Sequence, residues 1–139
     1  MPPNIARVLD HACSVDPARE ALVTRSARLT YEELDRAAHR GAHALAALGV
    51  SAGDRVAASL PNEADVVVAF HAAMRIGAIW VGVNRALATP EQRYLLADCT
   101  ARLLLTADQV GDVGVPVVDR SVWLEALDAA PDTPWGGPD

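Results

Sequence analysis

From Leu29 to Thr106 the chain alternates between helix and strand patterns without interruption, and this alternation does most to limit its fold. A capped helix, Thr30 to Gly49, leads into an apolar strand, Arg55 to Leu60. A second helix, Asn62 to Gly77, leads into a strand, Ala78 to Val83, and a third, Thr89 to Asp98, into a strand, Arg102 to Leu105. Strands joined by intervening helices pair in parallel, because each helix returns the chain to the same end of the sheet. The fold class is therefore α/β: a layered, largely parallel sheet flanked by helices. Open sheets of this kind bind ligands beyond the carboxyl ends of their strands, so the loops after Leu60, Val83 and Leu105 are the ones to inspect.

Local signals fix most element ends. Thr30-Tyr31-Glu32-Glu33 is a capping box, in which the Thr30 hydroxyl accepts from the Glu33 N–H and the Glu33 carboxylate accepts from the Thr30 N–H. At 100° per residue, Leu34, Ala38, Gly41, Leu45 and Leu48 fall within about 40° of one line. Asp35, Arg36, His39, Arg40 and His43 lie opposite and read as a solvated face. Gly49 supplies the left-handed residue that ends the helix. In the second helix Val66, Val67, Phe70, Ala73 and Met74 cover most of the circumference, so it is expected to be buried against the sheet. Thr89-Pro90-Glu91-Gln92 starts the third with a cap, a proline at the first helical position and a Gln three residues after the cap.

Outside this stretch, Asn4 caps a helix expected from Ile5 to about Ala12, which Asp16-Pro17 ends. Ala21 to Thr24 and Arg28 to Thr30 read as a small hairpin. Val115 to Val118 is expected as a short edge strand, since Pro116 cannot donate to a ladder, and Ser121 to Ala130 as a closing helix. Residues 1–130 thus read as one α/β unit. Residues 131–139 hold three prolines and two glycines, the composition of a linker-like tail.

With 139 residues the chain has the size of one domain, enough to bury roughly two-thirds of its unfolded surface. The apolar fraction is 51% and the charged fraction 22%, and the longest apolar runs, Val66 to Phe70 among them, are far too short for a bilayer span. No basic stretch followed by an apolar one opens the chain, so no secretory signal is read and a cytoplasmic location is expected. A net charge of −6 and an aromatic content of 4% argue against a nucleic acid partner, since phosphates are repelled and little is left to stack on bases. Cys13 and Cys99 belong to no Cys-x-x-Cys or Cys/His array and read as reduced, partly buried thiols.

Catalytic and cofactor signals are sparse. A phosphate site at a helix N-terminus needs free N–H groups without competing carboxylates, yet the three central helices open with Glu32 and Glu33, with Glu63 and Asp65, and with Pro90 and Glu91. Gly49 to Gly53 and Gly111 to Gly114 have the wrong spacing for a dinucleotide or phosphate loop. His39 and His43 stand one helical turn apart with Asp35 a turn before, a spacing open to a metal, but no third ligand is near in sequence and no metal site is assigned. His71, beside Arg75, reads as a boundary histidine with a hydrogen-bond partner. The serines Ser14, Ser26, Ser51, Ser59 and Ser121 fall where turns, strands or caps use them, so no catalytic residue is assigned.

Several strings taken together resemble the start of an adenylate-forming enzyme, of the acyl-CoA synthetase or AMP-dependent synthetase and ligase type. Leu29-Thr30-Tyr31-Glu32-Glu33-Leu34 resembles its Leu-Thr-Tyr-x-Glu-Leu, and Gly49-Val50 through Gly53-Asp54-Arg55-Val56-Ala57 resembles Gly-Val-x-x-Gly-Asp-x-Val-Ala. Leu60-Pro61-Asn62, Gly77-Ala78-Ile79-Trp80-Val81-Gly82-Val83-Asn84 and Tyr94-Leu95-Leu96-Ala97-Asp98 are similar to three further strings in the same order. The resemblance implies the first subdomain of an ATP-dependent acid–CoA ligase, which converts a carboxylic acid and ATP to an acyl-adenylate and then to acyl-CoA. It implies ATP, Mg and CoA for the full-length enzyme, none of them bound by this fragment, which is expected to be inactive alone. The family's phosphate-binding loop would follow residues 131–139. The partners implied are the remainder of the ligase, the acid and CoA. Self-association is expected where the remainder would pack. One residue carries a site expectation: some relatives have Asn-x-Arg-Leu with the Arg near the CoA 3′-phosphate, and Asn84-Arg85-Ala86-Leu87 places Arg85 one position earlier. Two alternatives stand beside this reading, a free-standing non-catalytic interaction module and part of an adenylation domain that serves a carrier protein.

Overall fold

The computed structural model describes residues 3–136. A 3-10 turn, Ile5–Arg7, precedes α1 (Asp10–Val15), the hairpin β1 (Glu20–Val23) and β2 (Arg28–Thr30), and α2 (Tyr31–Ala47). Then come β3 (Arg55–Ser59), α3 (Ala64–Arg75), β4 (Ile79–Gly82), α4 (Thr89–Asp98), β5 (Ala101–Thr106), β6 (Val117–Val118) and α5 (Arg120–Ala129). β1 and β2 pair antiparallel. The other four strands form a parallel sheet in the order β4-β3-β5-β6, and the parallel pairing of β3, β4 and β5 is what the alternating pattern predicts.

Side-chain alternation along the strands divides the core into two layers. Val56, Ala58, Leu103 and Leu105 face a layer built with Ala42 and Leu45 of α2, Ala69 and Ala72 of α3, and Trp123 of α5. Ala57 and Leu104 face the opposite layer with Leu96 of α4 and Val113. A third cluster, Leu9, Leu34 and Val68, holds α1 and the hairpin against the start of α2. The capping box of α2 is complete: Glu33 N–H donates to Thr30 Oγ1 at 3.1 Å and Thr30 N–H to Glu33 Oε1 at 3.0 Å. Gly49, at φ +92°, ends the helix in the left-handed region, which costs glycine least.

Several boundaries depart from the sequence reading. The expected helix Ile5 to Ala12 is instead the 3-10 turn followed by α1, and the break lets Leu9 reach the third cluster while Ile5 and Val8 stay exposed. α3 starts at Ala64, two residues after Asn62, because Glu63 N–H first turns back to the Pro61 carbonyl at 2.8 Å. Ala88, not Thr89, occupies the N-cap of α4, where the Glu91 carboxylate accepts its N–H at 2.9 Å. Gln92, expected at the helix start for capping, is buried and donates to the Leu87 carbonyl. No residue of α3 is exposed, since α2 and the sheet cover its apolar circumference. The apolar side chains left in solvent lie elsewhere, among them Ile79 on β4 and Tyr94 on α4.

Candidate functional site

Two places gather polar side chains. The first is the carboxyl edge of the sheet. Ser59 and Thr106, both buried, are register partners at the ends of the two central strands. The connections leaving these strands diverge, β3 running to β4 on one side and β5 to β6 on the other, so the crevice that a parallel sheet opens to a ligand lies between them. Leu60, Pro61, Thr106, Ala107, Val118 and Trp123 are among the residues lining a cavity of about 30 Å³ there, room for one or two waters. Trp123 is 4% exposed, and its indole N–H has no protein partner among the described residues.

Arg85 stands on the turn after β4, at the same edge. Its Nε donates to Asp108 Oδ2 at 2.9 Å and its Nη2 to Asp108 Oδ1 at 2.8 Å, a bidentate fork that fixes the plane of the guanidinium. Asp108 is held in turn through its backbone, whose N–H donates to Thr106 Oγ1 at 3.1 Å. The hydrogen bond from Arg85 holds the Asp108 carboxyl below its ordinary value, and the same bond raises Arg85. The Arg85 side chain keeps 45% of its surface in solvent, and its Nη1 is outside the fork. The pairing with Asp108, 23 residues away, was not visible in sequence; the Thr106-Ala107-Asp108 turn at a strand end was the available signal.

The second place is the α2 face that the sequence reading left to solvent. There Asp35, His39, Arg40 and His43 are half-buried. Arg75 of α3, its side chain only 6% exposed, donates from Nη2 to Asp35 Oδ1 at 2.6 Å and from Nη1 to the Asp35 carbonyl. Residues of the linker-like tail cover the rest: Trp135 N–H donates to His39 Nδ1 at 3.0 Å, and His43 Nε2 lies 3.1 Å from the Thr133 carbonyl oxygen. The solvated-face reading is thereby corrected, and its cause is the fold itself, which returns the chain across α2 more than 90 residues later. Burial first, and then the Arg75 charge, hold both His39 and His71 below the ordinary histidine value. His71 packs edge-on against Phe70. Cys13 and Cys99 are free and partly buried, and burial pushes the Cys13 thiol up. No group of three or more His, Cys, Asp or Glu able to hold a metal occurs among the described residues, and no helix there is long and apolar enough to cross a membrane.

The carboxyl edge thus presents one anchored arginine beside a water-sized crevice. The family model described as AMP-binding enzyme matches residues 9–134, and the chain belongs to that family. It is 33% identical over 138 residues to the long-chain-fatty-acid–CoA ligase FadD13 of Mycobacterium tuberculosis, covering 98% of this chain and 26% of that protein. It is 35% identical over 105 residues to the fatty acid–[acyl-carrier-protein] ligase ScoC of Streptomyces coeruleorubidus, covering 76% of this chain and 20% of that protein. Among solved structures, the N-terminal domain of FACL13 from Mycobacterium tuberculosis, crystallised with an inhibitor, superposes with a TM-score of 0.87 at 29% identity, over 96% of this chain and 37% of that one. The chain therefore spans about a quarter or less of the length of the curated relatives it matches.

Proposed function

We propose that this chain is the N-terminal part of an ATP-dependent acid–CoA ligase, in which a carboxylic acid and ATP give an acyl-adenylate and pyrophosphate, and CoA then displaces AMP. The observation that carries the reading is the family match over residues 9–134 together with the fold of a ligase N-terminal domain. Residues 1–130 supply the first α/β layer of the enzyme, and 131–139 lead towards its phosphate-binding loop. ATP, Mg and CoA are held by the full-length enzyme, and the fragment alone is inactive because its helix starts carry carboxylates where phosphate donors would be needed. Arg85 is the residue we assign to the CoA 3′-phosphate. Its Asp108 fork presents the free Nη1 edge in a fixed orientation, which supports the role, although only Asn84 and Leu87 match the relatives' Asn-x-Arg-Leu and the arginine stands one position earlier.

The carrier-protein ligase among the relatives favours a second reading, in which the acceptor is a carrier thiol instead of CoA. Acid-dependent exchange of labelled pyrophosphate into ATP tests the proposal. Exchange is expected from the whole enzyme containing this chain and not from residues 1–139 alone. Exchange by the fragment would overturn its assignment as a scaffold, and its absence from the whole enzyme across aliphatic and aromatic acids would overturn the ligase reading.

A further inference from the structure

We propose that residues 132–136 form a pH-sensitive strap, latched across α2 by neutral His39 and released when that imidazole takes up a second proton. The latch is the bond from Trp135 N–H to His39 Nδ1, 3.0 Å long. A backbone N–H can only donate, so Nδ1 must carry a lone pair. The ring proton is then on Nε2, which lies 3.6 Å from Asp35 Oδ2. Protonation of Nδ1 sets one donor against another and removes the bond. His43, the neighbouring histidine on the same face, does not share this dependence. Its Nε2 faces the Thr133 carbonyl oxygen at 3.1 Å, and an Nε2–H donates to that oxygen whether the ring is neutral or charged. Its ring also meets the Trp135 indole edge-on, with centroids 5.1 Å apart.

Besides the Thr133 contact and the Trp135 indole, which packs partly buried against the main core cluster, the strap is held by weak ion pairs. Asp132 lies 3.8 Å from Arg36 Nε and 3.7 Å from Arg40 Nη2, with all three side chains more than a third exposed, and exposed pairs at such distances contribute little. Arg40 Nη1 reaches further back, to the Leu127 and Ala130 carbonyls, so the end of α5 stays anchored when the strap lifts.

The charges around His39 set the direction of the switch. Asp35 and His43 approach it from α2, Arg75 from α3 and Asp10 from α1, and Arg7 of the opening turn lines the same groove. The two carboxylates favour a charged ring. Asp35, however, already answers Arg75 at 2.6 Å and Asp10 answers Arg7 at 2.8 Å. Burial and Arg75 prevail and hold His39 below the ordinary histidine value of 6.5. A depressed value means that the closed form has its full stability above 6.5 and loses it as pH falls from there towards the lowered value. Release takes Trp135 out of the wall of a groove of about 450 Å³ bounded by the opening turn, α2 and the end of α3.

The experiment is an NMR titration of the whole chain from about pH 7.5 to 5. Long-range nitrogen–proton correlations assign the His39 tautomer, and hydrogen exchange reads the Trp135 amide, corrected for the intrinsic pH dependence of exchange. The expected results are an unprotonated Nδ1 at pH 7.5 and a protection factor for Trp135 that falls about tenfold or more with the His39 midpoint. His39→Asn places an amide oxygen where Nδ1 stood and does not titrate, so protection should persist at pH 5. His39→Ala should lose protection at every pH. A proton on Nδ1 at pH 7.5, or Trp135 protection that ignores the His39 midpoint, overturns the proposal, and the wild-type titration decides even if a variant fails to fold.

Discussion

Gly41 sits in the middle of α2, where intrinsic propensity and tertiary packing make opposite predictions. In an exposed helix, Gly→Ala stabilises by about 1 kcal/mol. Here a Cβ on Gly41 would stand 2.8 Å from the Ala72 Cβ of α3, with Val68 at 3.7 Å and Trp123 at 3.8 Å behind it. The Ala72 Cβ is bonded directly to the backbone and cannot swing aside, so α2 and α3 must separate, and overpacking of this kind costs about 1–3 kcal/mol. Gly41→Ala should therefore leave the protein unchanged at best and destabilise it by up to about 2 kcal/mol, the difference of the two effects. Ala72→Gly alone should cost about 2 kcal/mol, from about 1 of helix propensity and about 0.8 of lost methyl burial. In the Ala72→Gly background, however, the new methyl has room, and Gly41→Ala should stabilise by its full propensity gain. The coupling between the two sites is then about 1–3 kcal/mol, well above the roughly 0.5 kcal/mol scatter of independent mutations. Urea unfolding followed by far-UV circular dichroism measures all four corners of the cycle. If Gly41→Ala stabilises the wild type by about 1 kcal/mol and adds simply to Ala72→Gly, the close approach of α2 and α3 is not what requires glycine there.

Glu33 is held below its ordinary value of 4.5 by the hydrogen bond it accepts from Thr30 N–H, so its capping contribution is full above 4.5 and lost as pH falls through the lowered value; Glu33→Gln, which still accepts, should flatten that part of the stability-against-pH curve. Arg75→Ala, which leaves the half-buried Asp35 carboxylate unpaired, should cost about 1–3 kcal/mol in urea melts. Arg28→Ala removes the exposed pair with Glu20 and should cost under about 1 kcal/mol, so equal losses would refute the burial argument. In the whole enzyme, Arg85→Ala should raise the apparent KM for CoA by about 10- to 150-fold while leaving pyrophosphate exchange intact, with dephospho-CoA almost indifferent; equal effects on both thiols would return Arg85 to a purely structural turn.

The parts of the fold legible in the sequence were those whose causes lie within a few residues. The α2 start depends on Thr30 and Glu33, three positions apart, and its end on the left-handed Gly49. The alternation of Val56, Ala57 and Ala58 between two layers follows from strand geometry alone. What failed did so where distant partners decide. Ile5 and Val8 have helical spacing, but only Leu9 finds a cluster to enter, and the chain breaks its helix to place it there. Thr89 is the better capping residue, yet the Glu91 carboxylate and the burial of Gln92 move the cap back to Ala88.

The two polar sites differ in the same way. Arg85 is singled out only through the family resemblance of Asn84-Arg85-Ala86-Leu87, and Asp108 comes to it from the end of β5, two strands away across β3, a placement that no local pattern specifies. The histidine face shows a stronger limit. A helical wheel divides α2 correctly into an apolar line and a polar one, and the step from polar to solvated is where it went astray. Polarity says that a side chain needs a partner; it does not say that the partner is water. Here the partners are Arg75 on the next helix and the backbone of residues 133–135. A segment rich in proline has fewer backbone donors to satisfy, and its prolines restrict the extended path it takes across the helix. Composition that reads as a linker is thus equally suited to a strap, and Trp135 points its backbone donor at His39.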